Sequence, residues 1–426
     1  MKRSPFLPAF VLGMTAALLV SVMSAVSSPA GEIQYPVAAY SDEGLAQVRA
    51  WEQGRAGEKI TSASVDTVKD LLPENLYSVL KNPDKWGEAW FEIVPYKRYM
   101  PTTAEIKFTR AGRCTIDDQE NMRGYVSGIP FPNPSSGLEM VYNFDNFNKG
   151  DSSYDLSTGP IVDGRRGYDR TMEVDQDVLY FTGRRETPPV PEIPDNRKDI
   201  FWAYHTVFHF PVQLKGMRAM TIKWNDRSRD YGSWEFSNST RRVVRRSTKQ
   251  RQRHISISDI TYNDQTIWNW VVNDNTYELL GKKELLVSRH CQDPSLINKN
   301  HTEGELLPNA VKRERMNLYK LNVKSKDPDY IYSREVWYID PESWVICYAD
   351  KYDKQGKLWK IMEVYYKEIK TLSSGENLHV IAGQYALDVP RMHSSMLLFY
   401  NTKLGVQGPN YVASYYTPQA LLKYGY

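Results

Sequence analysis

A large, curved antiparallel β-sheet with a few covering helices is the mainly β fold that this sequence predicts. Three observations predict it. Beyond residue 165 polar and apolar residues alternate with a period of two through almost every segment, as half-buried strands require. Turn residues fall where a meander needs them, at 340–343 and in the "DKQG" of 353–356. Aromatic residues abound, with 29 Tyr, 11 Trp and 13 Phe, and such rings suit sheets whose faces are part apolar and part wet. A sheet too large to lie flat curls, and helices on its concave side enclose an apolar chamber of the kind that holds ligands.

The elements follow in order. Lys2 and Arg3 precede an uncharged apolar run from Phe6 to Val26, and Ser24, Ala25, Ser27, Ser28 and Ala30 close it. Basic, apolar, then small is the order of a secretory signal peptide, with Ser28 and Ala30 at −3 and −1 of the cleavage site. An uncleaved anchor is the alternative, since the run approaches the ~20 residues that span a bilayer; Pro8, Gly13 and the Ser-rich end favour cleavage. No Cys near the end of the run offers a lipid attachment point there. The expected organisation is a signal peptide over 1–30, an extended, loosely docked arm over 31–62, and one domain over 63–426 that begins with a helical section. The expected location is the periplasm or the periplasmic side of the outer membrane, with a mature protein that is soluble.

Val65, Val68, Leu72, Leu76, Val79 and Leu80 recur at helical steps behind a capping Ser64, and Pro73 kinks or splits that helix. "WFEIVPYKRYMP" reads as strand ending in a turn, and "GIPFPNPSSGLEMVYNFDNF" as a rigid loop followed by a helix starting near Ser136. Strands are expected in "GYDRTMEVDQDVLYFTGRRE", in "FWAYHTVFHFPVQLKGMRAMTIKW" and in the hairpin "GSWEFSNSTRRVVRRST". A helix is expected over 263–272. Strands return in "YELLGKKELLVS", "MNLYKLNVKS", "REVWYID", "WVICYADKYD", "LWKIMEVYYKEI", "HVIAGQYALDV" and "MLLFYN". A short helix capped by Thr417, with Pro418 first, ends the chain.

The formal charge of +3 falls to +1 without Lys2 and Arg3, so bulk charge implies no nucleic-acid partner. One run is strongly basic: Arg241, Arg242, Arg245, Arg246, Lys249, Arg251 and Arg253, with no acid among them. It is either the solvated face of a hairpin or a dock for anionic headgroups or an acidic partner. Trp337, Trp344 and Trp359 lie in adjacent strands, where they either pack the core or form the wall of an apolar chamber, and they are the candidate ligand-lining residues. His205 and His209 have the spacing of helical zinc ligands but sit in a strand, where they lie ~13 Å apart. Asp340, Asp350, Asp353 and Gly356 fit tight turns better than a metal loop. No nucleophile elbow, Gly-rich phosphate loop or HExxH motif occurs, so neither catalytic residues, metal nor cofactor is expected. Of the three cysteines, Cys114, Cys291 and Cys347, the pair Cys291 and Cys347 is the candidate disulfide, because each lies in or beside the C-terminal strands.

Four segments resemble one family. "GIPFPNPSSGLEMVYNF" resembles the "G-x-P-F-P" signature of the bacterial Domain of Unknown Function 1329 proteins, and "SWEFSNSTRRVVRRS" their "W-x-Y-x-P-x-x-R-R-V-R-R" hairpin, with Ser237 where the family often has Pro. "YELLGKKELL" resembles their "W-x-L-L-G-K-K-E-M" strand, and "SREVWYIDPESWVICYADKYDKQGKLWKIMEVY" their long meander motif. The resemblance covers about residues 90–400 in the family's order. It implies an exported Gram-negative protein with a fold like the lipoprotein carrier LolA and receptor LolB, a half-open antiparallel β-barrel with helices on its concave face. It also implies carriage of a lipid or other apolar ligand, alongside a resistance-nodulation-division type transporter and an outer-membrane β-barrel protein. A non-ligand adaptor subunit of an envelope export complex is the alternative.

Overall fold

Segments of period two fold as strands almost throughout the computed structural model, which describes residues 33–423 apart from 148, 239, 291–293, 295, 296 and 298–303. The segment expected to be a signal peptide lies outside the described residues. Short strands β1 (Lys59–Ile60) and β2 (Phe91–Ile93) come first, and β3 (Thr115–Ile116) and β4 (Met122–Arg123) make a separate ribbon. Then β5 (Ser152–Asp163), β6 (Gly167–Tyr180), β7 (Ile200–Phe210), β8 (Arg218–Trp224), β9 (Gly232–Ser237) and β10 (Arg242–Arg245) form one antiparallel meander. A second consists of β11 (Asn275–Val287), β12 (Val311–Ser325), β13 (Arg334–Ile339), β14 (Ile346–Tyr352), β15 (Leu358–Lys370), β16 (Asn377–Asp388) and β17 (His393–Leu404).

The two meanders become one sheet of 15 strands because β17 pairs antiparallel with β5. The parallel pairing of β2 with the first residues of β12 makes the sheet mixed rather than purely antiparallel. Among the described strands β10 pairs only with β9 and β11 only with β12, so the sheet stays half-open, as expected. The region before β5 holds helices α1 (Asp42–Gln53), α2 (Glu74–Leu80), α3 (Pro83–Trp86) and α4 (Thr103–Ala111), and α5 (Gly137–Asp145) leads into the sheet.

Helix α5 bridges the opening. At its start Gly137 lies against the Tyr277 carbonyl of β11, so closely that a Cβ there would collide. At its end the buried Asp145 pairs with Lys223 of β8 and, at 3.3 Å, with Arg227. Ser136 caps the helix by accepting the Glu139 N–H, at the predicted start. The irregular segment between β10 and β11 fills the concave side, with Ile260, Ile267, Trp268 and Val271 buried. Across β7 and β8 the alternation gives two buried faces. Trp202, Tyr204 and Lys223 point inward. Ala203, Ile222 and Trp224 point outward and are covered by Tyr415, Tyr416 and Leu421 of the C-terminal segment. That segment ends in helix α6 (Pro418–Lys423), whose Thr417 hydroxyl accepts the Ala420 N–H.

Three expectations change. The helix expected over 263–272 is an irregular loop with one-turn 3-10 segments at Tyr262–Asp264 and Val272–Asp274; Thr266 and Ile267 hold left-handed φ values of 54° and 72° that a helix excludes. The stretch expected as a loose arm carries α1 and is tied down, with the Tyr35 hydroxyl bonded to Glu105 and the Ala39 N–H donated to Glu342 at 3.1 Å. Strand β5, which contains Gly159 and Pro160, precedes the alternation read beyond residue 165 and was not expected. Both fall where the β17–β5 ladder skips between Thr158 and Ile161, so the missing proline N–H breaks no ladder bond on that side. The split helix at Pro73 appears as a 3-10 segment, Val65–Leu71, and α2.

Candidate functional site

The concave side is filled at the β12–β15 end and hollow at the β5–β7 end. At the filled end Asp264 is fully buried, with Lys351 Nζ at 2.6 Å and Lys360 Nζ at 3.1 Å; Glu335 joins Lys351 at 3.0 Å. Burial opposes ionisation, but the two ammonium groups outweigh it and hold the Asp264 carboxyl well below the usual range. Tyr332 donates to the same carboxylate at 2.8 Å.

At the hollow end lies a cavity of about 170 Å³. Its apolar wall comes from Val178 and Tyr180 of β6, Trp202 and Tyr204 of β7, and Leu397 and Phe399 of β17, with Ile255 and Ile260 of the filling segment opposite. A smaller cavity of about 60 Å³ shares Tyr204, Ile255, Leu397 and Phe399 and extends the apolar wall to Met172 and Phe208. The amides that face the cavity are already hydrogen-bonded. Gln384 accepts the Thr266 N–H at 2.8 Å and donates to the Asp264 carbonyl at 2.7 Å; Gln265 accepts from Tyr204 at 3.0 Å. Desolvation pushes the Asp155 carboxyl up to about 6, against hydrogen bonds from Thr402 and Ser153. It pulls the Lys149 ammonium down to about 8, against the attraction of Asp145. Both shifts run toward the neutral form, as expected of an apolar site. Chemically, the arrangement can bury apolar surface and orient one polar end.

None of the three predicted tryptophans lines this cavity. Trp337 is fully buried on the concave side, but Trp268 and Tyr277 pack against it, with centroids at 5.8 and 6.0 Å, and its Nε1 donates to Glu335. Trp344 stacks on Tyr319 in the β13–β14 turn, and Trp359 donates to Asp388 at 3.2 Å. The cavity's tryptophan is Trp202. Its signal was the alternation of "FWAYHTVFHF", which puts Trp202 and Tyr204 on one face.

The basic run does not form one patch. Arg241, Arg242 and Arg245 are exposed on the β9–β10 hairpin, and so are Lys249 and Arg253 further on. Arg246 is paired with Glu235. Arg251 is only 1% exposed; it donates to the Asn269 carbonyl at 3.0 Å and lies over the Tyr231 and Trp270 rings. It is a core residue. Cys347 is a buried free thiol, and Cys114 a half-buried one that desolvation pushes up to about 11; Cys291 lies outside the described residues. His205 packs against Tyr415, while His209 bonds to Asp175 at 2.9 Å, so the two share no site. Asp353 accepts the Gln355 and Lys357 N–H groups, as its turn requires.

The model of the family described as protein of unknown function (DUF1329) matches residues 59–422. An uncharacterized protein of Pseudomonas aeruginosa, PA3922, is 23% identical over an alignment of 389 positions that covers 86% of this chain and 81% of that protein. Among solved structures, a DUF1329 family protein from Desulfovibrio piger aligns with a TM-score of 0.47 at 15% identity, over 67% of this chain and 97% of its own. The LolA superfamily protein NE2245 from Nitrosomonas europaea aligns with a TM-score of 0.40 at 12% identity, over 66% and 100%.

Proposed function

The chain belongs to the DUF1329 family, and from that membership and the cavity we propose that it is an exported carrier that holds a lipid or another apolar molecule. The observation that carries this reading is the cavity itself, with an apolar wall on three strands, a filling segment as its lid, lining amides that are already bonded, and lining charges that burial shifts toward the neutral form. Binding works by burial, at about 25 cal/mol per Å² of apolar surface removed from water, and not by chemistry. The basic, apolar and small-residue order of the first 30 residues supports work in the periplasm or at the outer membrane.

The test is extraction of envelope-purified protein with organic solvent, followed by mass spectrometry. A stoichiometric apolar molecule is expected from the natural chain and from Trp359→Phe, and its loss from Leu397→Trp, which fills the cavity. If all three come out empty, the carrier reading falls. The adaptor reading then gains, favoured by the open β10 edge with exposed Arg242, Val244 and Arg245.

A further inference from the structure

We propose that His290, Glu368 and His379 form a binding site for a divalent metal ion of the zinc class. Nothing in the carrier reading requires it. The three residues come together through topology: Glu368 of β15 lies directly opposite His379 of β16 in the antiparallel register, and His290 follows three residues after the end of β11. Their ligand atoms lie within 4.8 Å of one another. The Nε2 atoms of the two histidines are 3.1 Å apart, and Glu368 Oε1 is 3.4 Å from His290 Nε2 and 3.8 Å from His379 Nε2. Tetrahedral bonds of ~2.0–2.1 Å to nitrogen and oxygen place neighbouring ligand atoms ~3.3–3.4 Å apart, so the triangle matches one face of a zinc tetrahedron.

The surroundings orient each ligand. Glu314 Oε1 sits 2.6 Å from His290 Nδ1, so with the ring proton there the Nε2 lone pair turns to the triangle. Glu314 is itself fixed, since its other oxygen accepts the Lys97 N–H at 2.8 Å. A carboxylate behind a metal-bound histidine is the usual outer-shell arrangement. Glu368 splits its two oxygens in the same sense: Oε2 takes the Lys97 ammonium and Oε1 faces the histidines. Tyr99 lies against His379 at 4.5 Å between ring centroids and holds that ring in place. Two imidazoles and one carboxylate suit zinc, cobalt, nickel or copper, and not calcium or magnesium, which take oxygen shells. Three protein ligands leave the fourth position open. His379 also lines the cavity, so the ion sits in the cavity's wall.

The test uses the full mature chain, stripped with a chelator and dialysed against zinc or cobalt chloride. One equivalent of zinc at low-micromolar concentration is expected, with a rise in melting temperature and, with cobalt, the visible absorption of a four-coordinate ion. His290→Gln and Glu368→Gln should each weaken zinc binding by more than the ~10–100-fold that loss of an outer-shell partner costs, while His205→Gln leaves it intact. Should either ligand variant fail to fold, the stoichiometry and cobalt spectrum of the natural chain decide alone. Substoichiometric binding, an octahedral cobalt spectrum, or folded variants that bind as tightly as the natural chain would show that the trio is only a proton-sharing histidine pair against a carboxylate.

Discussion

Asp155 and Lys149 face one cavity with opposite charges, and burial moves each toward its neutral form. For Asp155 the sign is fixed by which state ionises first. The unfolded carboxyl ionises near 3.8 and the folded one near 6. Its contribution to stability is therefore complete below about pH 4 and is lost as pH rises through 6. Asp350, also raised to about 6 by burial, adds to the same slope. An apolar fluorescent probe should bind more tightly at pH 5 than at pH 7.5, and Asp155→Asn should abolish that difference; a titration of the variant that still shows it assigns the effect elsewhere. At the filled end the opposite logic holds, since Asp264 depends on its cations. Lys351→Met removes one of two ammonium groups from a fully buried carboxylate, and urea unfolding should show a loss of ~3–5 kcal/mol. These residues were beyond reach in the sequence. Asp264 and Lys351 are 87 positions apart, and no local period marks which of 51 acids meets which base. Trp202 was within reach, because alternation alone sets its face, whereas Trp337 differs from it only in having Trp268 to fill the space in front.

Elements were legible where a single period governed them. Strands β6 to β17 lie in the segments whose alternation marked them, and across β6 to β9 the outward face is covered by the C-terminal segment. The filling segment departs from the expected helix because its apolar spacing is dictated by contacts with β13 to β17 and not by a helical repeat. Helices α1 and α4 are short and polar, with buried charges such as Glu52 and Glu105 that a hydrophobic pattern does not register. The β9–β10 hairpin carries the element-scale prediction. Arg241, Arg242 and Arg245 are exposed there, whereas Arg246 and Arg251 belong to the fold. A cation near an anionic surface contributes ~1 kcal/mol, and salt screens that attraction beyond ~8 Å under physiological conditions. Changing the three exposed arginines to Ser should leave the melting temperature within a few degrees and weaken sedimentation with anionic liposomes, most at low salt. Unchanged sedimentation at low salt makes the hairpin a solvated face. Arg251→Ala, by contrast, should cost about 2 kcal/mol or more, because it strips buried carbonyls of their donor.

At the scale of the whole molecule one seam decides whether two meanders behave as one body. Strands β5 to β10 and β11 to β17 are each built from neighbours in sequence, and the β17–β5 ladder is where they join. Gly159 sits at the skip in that ladder, where a Cβ would run into the Met396 carbonyl. The close approach there needs hydrogen at that position, and a larger residue must push the strands apart. The cavity straddles the same seam, since Asp155 and Ser153 of β5 line it together with Leu397 and Phe399 of β17. Gly159→Val should therefore act twice. It should lower stability by a few kcal/mol, of the order that overpacking against backbone costs, and it should weaken apolar-probe binding even at temperatures where the chain stays folded. The natural chain should unfold in one transition, with near-ultraviolet dichroism from its tryptophans and hydrogen exchange at β7 and β15 following the same denaturant curve, because a continuous ladder couples the meanders. In Gly159→Val the curves for β7 and β15 should separate. Coincident curves in the variant, together with undiminished probe binding, would mean that the meanders are coupled through α5 and the filling segment instead of through the seam.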